Sequence, residues 1–201
     1  MQIFKTIHIR KIHMAAAAIL IAAVAAAGAF LPPAAQKAAA VLSAEGKREL
    51  PIYCVNTSEK KVAVTFDAAW GADDTDELLR ILEENDVKAT FFLCGYWVEK
   101  YPEEVKKIAE AGHDLGNHSA THPHMSQLSA EQITQELEKC HNAVKELTGI
   151  EMDLFRPPFG EYNNTVIQTA NANNYLVIQW DIDTLDTKRK EGKHFVSPLF
   201  I

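Results

Sequence analysis

Cysteine is scarce in this chain of 201 residues: Cys54, Cys94 and Cys140 are an odd number without C-x-x-C spacing. That excludes a disulfide framework or a zinc knuckle as the basis of the fold. Cys94 closes an apolar run and reads as a small buried hydrophobe. Positive charge is also short, with 20 Lys and Arg against 27 Asp and Glu and a formal net charge of −7. Nucleic acid demands a basic face toward its phosphates, so that partner class is excluded. The acidic excess points to no partner of its own, because surface carboxylates mainly maintain solubility. Acid is wholly missing before Glu45, and beyond the leader there are no internal repeats or low-complexity tracts.

What stands in the acid-free stretch is Lys5, Arg10 and Lys11, then an uncharged run from Met14 to Leu31 closed by Pro32-Pro33. A basic flank before an apolar run is the pattern read by the export machinery. The run is long for a signal-peptide core and near the lower limit for a membrane span. Its alanine richness leaves both outcomes open, and no convincing A-x-A site follows. Residues 1–33 are therefore expected to be a retained membrane anchor with its basic end in the cytoplasm, a cleaved signal peptide being the alternative. The remainder is expected outside the cytoplasm. Residues 34–60, Ala-rich and then charged, read as a linker.

Beyond Lys61 the pattern alternates. Val62 to Phe66 is a short β-prone run, and Asp74 to Asn85 carries helical spacing through Leu78, Leu79, Ile81 and Leu82. Thr90 to Cys94 is a second apolar run. Pro102 to Ala111 reads as a helix with proline in its first turn and Gly112 closing it. His113 to Asn117 is a third, weak strand. Ser129-Ala130-Glu131-Gln132 is a capping box opening a helix that ends near Gly149. Leu154 and Phe155 begin a fourth strand, Thr165 to Ala172 is a helix, and Tyr175 to Trp180 a fifth strand. Such alternation predicts an α/β fold with a parallel sheet and helical crossovers. Polar residues fall at several strand ends: Asp67, His118, Arg156, Asp181 and Asp183. That distribution favours a (β/α) barrel over an open sheet, which would gather them at one switch point.

Three motifs carry chemistry. His118-Ser119-Ala120-Thr121-His122 puts two imidazoles four residues apart, a spacing that shares a divalent metal or arises by chance on a solvated helix. His124 and His141 have no such support and read as surface residues. Thr65-Phe66-Asp67 places a carboxylate directly after a buried strand, as a general base or, more commonly, a loop or cap aspartate. Arg156-Pro157-Pro158-Phe159-Gly160 puts a guanidinium fork beside a rigid diproline. The fork suits a carboxylate such as Asp67, and the Phe159 N–H suits an oxyanion. Trp70, Tyr96, Trp97 and Trp180 are candidates for stacking on sugar rings, although aromatics in strands are more often core.

Together these motifs resemble the polysaccharide deacetylases, the carbohydrate esterases sharing the NodB homology domain. The resemblance runs from about Lys61 to Asp186 through TFD, GHDLGNHSATH, FRPPFG and WDIDTLD, in the family's order. The leader and the wording FDAAWG look most like the sporulation-associated branch, which acts at the cell envelope. The resemblance implies a deformed (β/α) barrel and N-deacetylation of an amino-sugar polymer such as peptidoglycan or a chitin-like glycan. It casts Asp67 as base, His118 and His122 as ligands of a divalent metal, zinc being expected, Arg156 as the residue orienting the base and Phe159 as oxyanion donor. Asp186 would tether a general-acid histidine.

Two departures follow. The family's third metal ligand is an aspartate where this chain has Ala68, which should weaken the site. After Asp186 the family continues to a Leu-x-His that supplies the acid, whereas residues 187–201 are an atypical tail in which His194 comes too soon. The domain at 61–186 is thus expected to be partial, with an unclosed barrel and exposed strand edges. A catalytically silent, glycan-binding or membrane-tethered remnant is the competing expectation, and hydrolysis of a non-sugar amide a third. No feature of the sequence specifies an oligomeric state.

Overall fold

The computed structural model describes residues 48–183 and the short strand at 198–200. Five parallel strands form the body of the sheet: β1 (Val64–Ala68), β2 (Thr90–Leu93), β3 (Asp114–Asn117), β4 (Leu154–Phe155) and β5 (Leu176–Val177). The crossovers are α1 (Thr75–Glu84), the pair α2 (Gly95–Lys100) and α3 (Pro102–Glu110), α4 (Ala130–Thr148) and α5 (Asn164–Ala172). Phe91, Phe92 and Leu93 are all buried, as expected of a parallel strand covered on both faces. On α4 the apolar positions Ile133, Leu137, Cys140 and Val144 recur at helical spacing and are all buried. Its Ser129 and Gln132 form the reciprocal capping box, and Gly149 ends it with φ +74, a conformation that costs a side chain.

Register puts the chemistry in one row. Leu93 pairs with Asn117, Asn117 with Phe155, and Phe155 with Val177, while Asp67 pairs with Phe92. His118 and Arg156 are each the first residue past this row, and Asp67 lies one position before its end on β1. Asp67 is within the strand rather than following it, so its carboxylate leaves the sheet beside its neighbours instead of reaching over them.

The sheet has two further strands. β7 (Pro198–Phe200) pairs antiparallel with the outer edge of β1, and β6 (Ile182–Asp183) pairs antiparallel with β7. The tail carries no strand-helix-strand pattern, but the backbone groups along β1 are a template that an extended segment satisfies. The order β5-β4-β3-β2-β1-β7-β6 makes β5 and β6 the two edges, and residues 178–181 join them. A flat sheet of seven strands would separate its edges by roughly 29 Å at strand spacing. The connection spans at most roughly 19 Å from Val177 to Ile182 at one Cα step per residue. The sheet must therefore curl. It does not close, since no ladder joins β5 to β6 among the described residues, and a cavity of about 600 Å³ lined by Val55, Lys61, Val62, Asp181 and Ile182 marks the seam. The fifth strand is shorter than the apolar run predicts: Ile178 continues it only by a bridge to Ile52, which puts part of the expected linker against the sheet.

Candidate active site

Arg156 is the centre of the site. It is fully buried; its Nη1 donates to Asp67 Oδ1 at 2.7 Å and its Nη2 to Thr65 Oγ1 at 2.9 Å. The guanidinium lies over the Phe92 ring at 4.0 Å and faces Trp180 at 5.7 Å. Phe92 fits there because Gly116 on the next strand has no side chain: a Cβ would stand 2.5 Å from the ring. Gly160 leaves similar room for Trp180. Two glycines and two aromatics thus build the slot that fixes the fork, and the fork engages one oxygen of Asp67. The other, Oδ2, lies 3.8 Å from His118 Nε2, too long for a hydrogen bond, and the Asp67 side chain stays about one-fifth exposed.

The histidines arrive on a tight turn. His118 Nδ1 is 2.7 Å from the carbonyl of Arg156. A carbonyl only accepts, so Nδ1 carries the proton and Nε2 keeps its lone pair toward the site. His118 and His122 stand ring to ring at 5.0 Å. Burial pushes the pKa of His118 down; burial first, and the nearby His118 second, push that of His122 down to about 4. Both are therefore neutral near pH 7, the form that ligates a metal. Ser119 and His122 have φ of +69 and +55, an unusual conformation for side-chain-bearing residues. The turn is held by Asn117 Oδ1, which accepts from Ser119 N at 2.9 Å, and by Ser119 Oγ, which accepts from His122 N at 3.0 Å. Glu136 accepts from the N–H groups of Ala120 and Thr121 and from the Thr121 hydroxyl at 2.8–2.9 Å.

Glu136 and Asn117 were missed by the motif reading. The capping box at Ser129 was the available signal for Glu136, because a residue seven positions on lies two turns along the same face of α4.

The two neutral imidazoles are donors that suit a divalent cation. The position of the family's third ligand does not: Ala68 is 1% exposed and packed in the apolar core. Among the described residues no three His, Cys, Asp or Glu converge as a ligand set. Phe159 has φ +58, and its half-exposed ring stacks on His124 at 4.4 Å and meets His122 edge-on at 4.5 Å. Trp70, also more than half exposed, lies 5.6 Å from His122. Of the other candidate aromatics, Trp97 is core, its Nε1 donating to Gly71 O; Tyr96 is half-buried and flanks Trp70. His124 belongs at the rim, near Glu161 at 3.0 Å. His141, expected on the surface, is partly buried against Tyr175. Asp181 lines the seam, not the site. Asp186, His194 and the Met14–Leu31 leader lie outside the described residues.

Residues 55–178 match the polysaccharide deacetylase family. The chain is 35% identical over 131 residues to the peptidoglycan-N-acetylglucosamine deacetylase of Bacillus cereus, covering 65% of this chain and 48% of that one. It is 32% identical over 146 residues to the peptidoglycan-N-acetylmuramic acid deacetylase PdaA of Bacillus subtilis, covering 71% and 56%. Among solved structures it resembles a CE4 family pseudoenzyme from Bacillus anthracis, with a TM-score of 0.68, 37% identity and coverage of 73% of this chain and 52% of that one. A mutant of that pseudoenzyme with restored enzymatic activity matches at a TM-score of 0.68 and 39% identity, covering 73% and 54%. The chain spans about half the length of the curated relatives it matches.

Proposed function

This chain belongs to the polysaccharide deacetylase family, and from that premise we propose that it is built to remove N-acetyl groups from an amino-sugar polymer of the cell envelope, peptidoglycan before chitin-like glycans. The observation that carries the proposal is the Arg156–Asp67 pair at 2.7 Å beside two neutral histidines. Arg156 holds one oxygen of Asp67, so the second is the one presented to take a proton from an attacking water. His118 Nε2 and His122 are the groups that would hold a divalent cation, zinc by its preference for imidazole. When bound, such an ion supplies Lewis acidity at the acetamide oxygen. The Phe159 N–H would donate to that oxygen as negative charge develops on it. Trp70 and Phe159, each in ring contact with His122 and more than half exposed, offer apolar surface to a pyranose.

A second reading is supported by Ala68: with one anionic ligand fewer, the scaffold retains a glycan groove and loses turnover. The relation to a pseudoenzyme that a mutation restores favours the same reading. The leader supports export and tethering by residues 1–33, with action at the envelope of a sporulating cell as the finer proposal.

Acetate release from peptidoglycan and from N-acetylglucosamine oligomers, with added zinc, tests the enzymatic reading. Release that Asp67→Asn abolishes is the expected result. Binding of the glycan without any release, even after Ala68→Asp, would establish the silent reading. Protease added to intact protoplasts should digest the domain; complete protection would overturn the proposed location.

A further inference from the structure

We infer that Tyr175 is a positioning residue for the histidine turn, acting through Asn117; the inference rests on the metal-site reading above. Asn117 immediately precedes the histidine pair, and Tyr175, outside the quoted motifs, comes from beside β5, two strands away.

The direction of each hydrogen bond follows from its neighbour. The Asn117 carboxamide donates from Nδ2 to the Leu137 carbonyl at 2.9 Å and to Tyr175 Oη at 3.0 Å. Its Oδ1 accepts from Ser119 N at 2.9 Å. Turning the amide over would set oxygen against the Leu137 carbonyl and nitrogen against an N–H, so its orientation is decided. Tyr175 Oη, having accepted from Asn117, has one proton to give, and His141 Nδ1 lies 2.6 Å away. His141 Nε2 then donates to Glu151 Oε2 at 2.9 Å. A directed chain therefore runs from a surface carboxylate through His141, Tyr175 and Asn117 to the Ser119 amide, and Ser119 Oγ holds His122.

Burial makes the chain matter. Asn117 is 0% exposed and Tyr175 4%, so water does not replace a lost partner. Removing the phenolic hydroxyl leaves Nδ2 of Asn117 with one acceptor for two N–H groups and frees the amide to rotate. The turn it would release contains two residues at positive φ, Ser119 and His122, which persist only while their surroundings hold them. The consequence is looser placement of His122, and changes behind metal ligands typically cost about 10- to 100-fold in affinity.

The test compares the full chain with Tyr175→Phe and with Ile133→Val, a trim of the same core in α4 (Ile133 is 0% exposed) that lowers stability without touching the chain of bonds. Amide hydrogen exchange at Ser119 and His122 and zinc affinity by competition with a chromophoric chelator are both measured. Tyr175→Phe is expected to speed exchange at those two amides about tenfold and to weaken zinc binding about tenfold, while Ile133→Val does neither. Unchanged exchange at Ser119 and His122 in Tyr175→Phe, or equal acceleration in Ile133→Val, overturns the inference. Should the parent chain bind no zinc, the metal reading fails, and the exchange result alone still decides the role of Tyr175.

Discussion

Cutting the Arg156–Asp67 pair from either side should have unequal costs. Arg156 is 0% exposed, whereas the Asp67 side chain retains about one-fifth of its accessibility. In Asp67→Ala the guanidinium keeps Thr65 and the faces of Phe92 and Trp180 but, fully buried, has no anion beside it. Leaving a buried charge uncompensated costs about 3–5 kcal/mol. In Arg156→Met the apolar replacement fills much of the slot against Phe92, and the surviving carboxylate turns to solvent. The remaining losses are one ionic contact and the bond to Thr65, about 1–2 kcal/mol together. Urea unfolding of both variants at pH 7 and 25 °C, read by tryptophan fluorescence with m-values compared, measures the difference. Asp67→Ala should be the less stable by about 2 kcal/mol or more, and the double variant should regain most of that gap. Equal costs, or Arg156→Met as the worse variant, would refute the assignment of Arg156 as a charge that depends on Asp67.

In the metal-free chain, His118 and His122 are neutral when folded and titrate normally when unfolded, so the unfolded state binds more protons below about pH 6.5. Stability should be fully present above that pH and decline as pH falls toward about 4; melts across this range in chelator check it, and a flat profile would contradict the buried neutral pair. Ala68→Asp places a carboxylate in the apolar core, so its Tm should drop in chelator and rise with zinc by more than the parent's does; calorimetry with and without zinc decides. Glu136→Ala deletes three bonds to the histidine turn and should weaken zinc binding about tenfold while leaving the α4 cap intact; titration with the metal alone reads it out. Exchanging Gly116 for alanine should force Phe92 off Arg156, since its Cβ would stand 2.5 Å from the ring, and cost about 1–3 kcal/mol as overpacking, measured by thermal unfolding.

Local pattern determined a good deal of this protein. The apolar period of α4 and its capping box, the proline opening α3, and the unbroken buried run at β2 all depend on neighbours within a few residues, so they are legible in the chain itself. The motifs likewise mark Asp67, His118, His122 and Arg156: His118 and Arg156 directly follow strands, Asp67 lies near the end of one, and His122 is marked by its spacing from His118. Tertiary structure decided what those residues face. The shared register of β1 to β4 is a long-range property, and it alone brings Asp67 and Arg156, far apart in sequence, to 2.7 Å. What Glu136, Asn117 and Tyr175 hold was not legible in the chain, since their partners come from other elements or from the fold of the turn. The covering of β1 by a strand from the tail was invisible as well: Pro198–Phe200 has no pattern of its own and becomes a strand by meeting the exposed backbone groups of an edge.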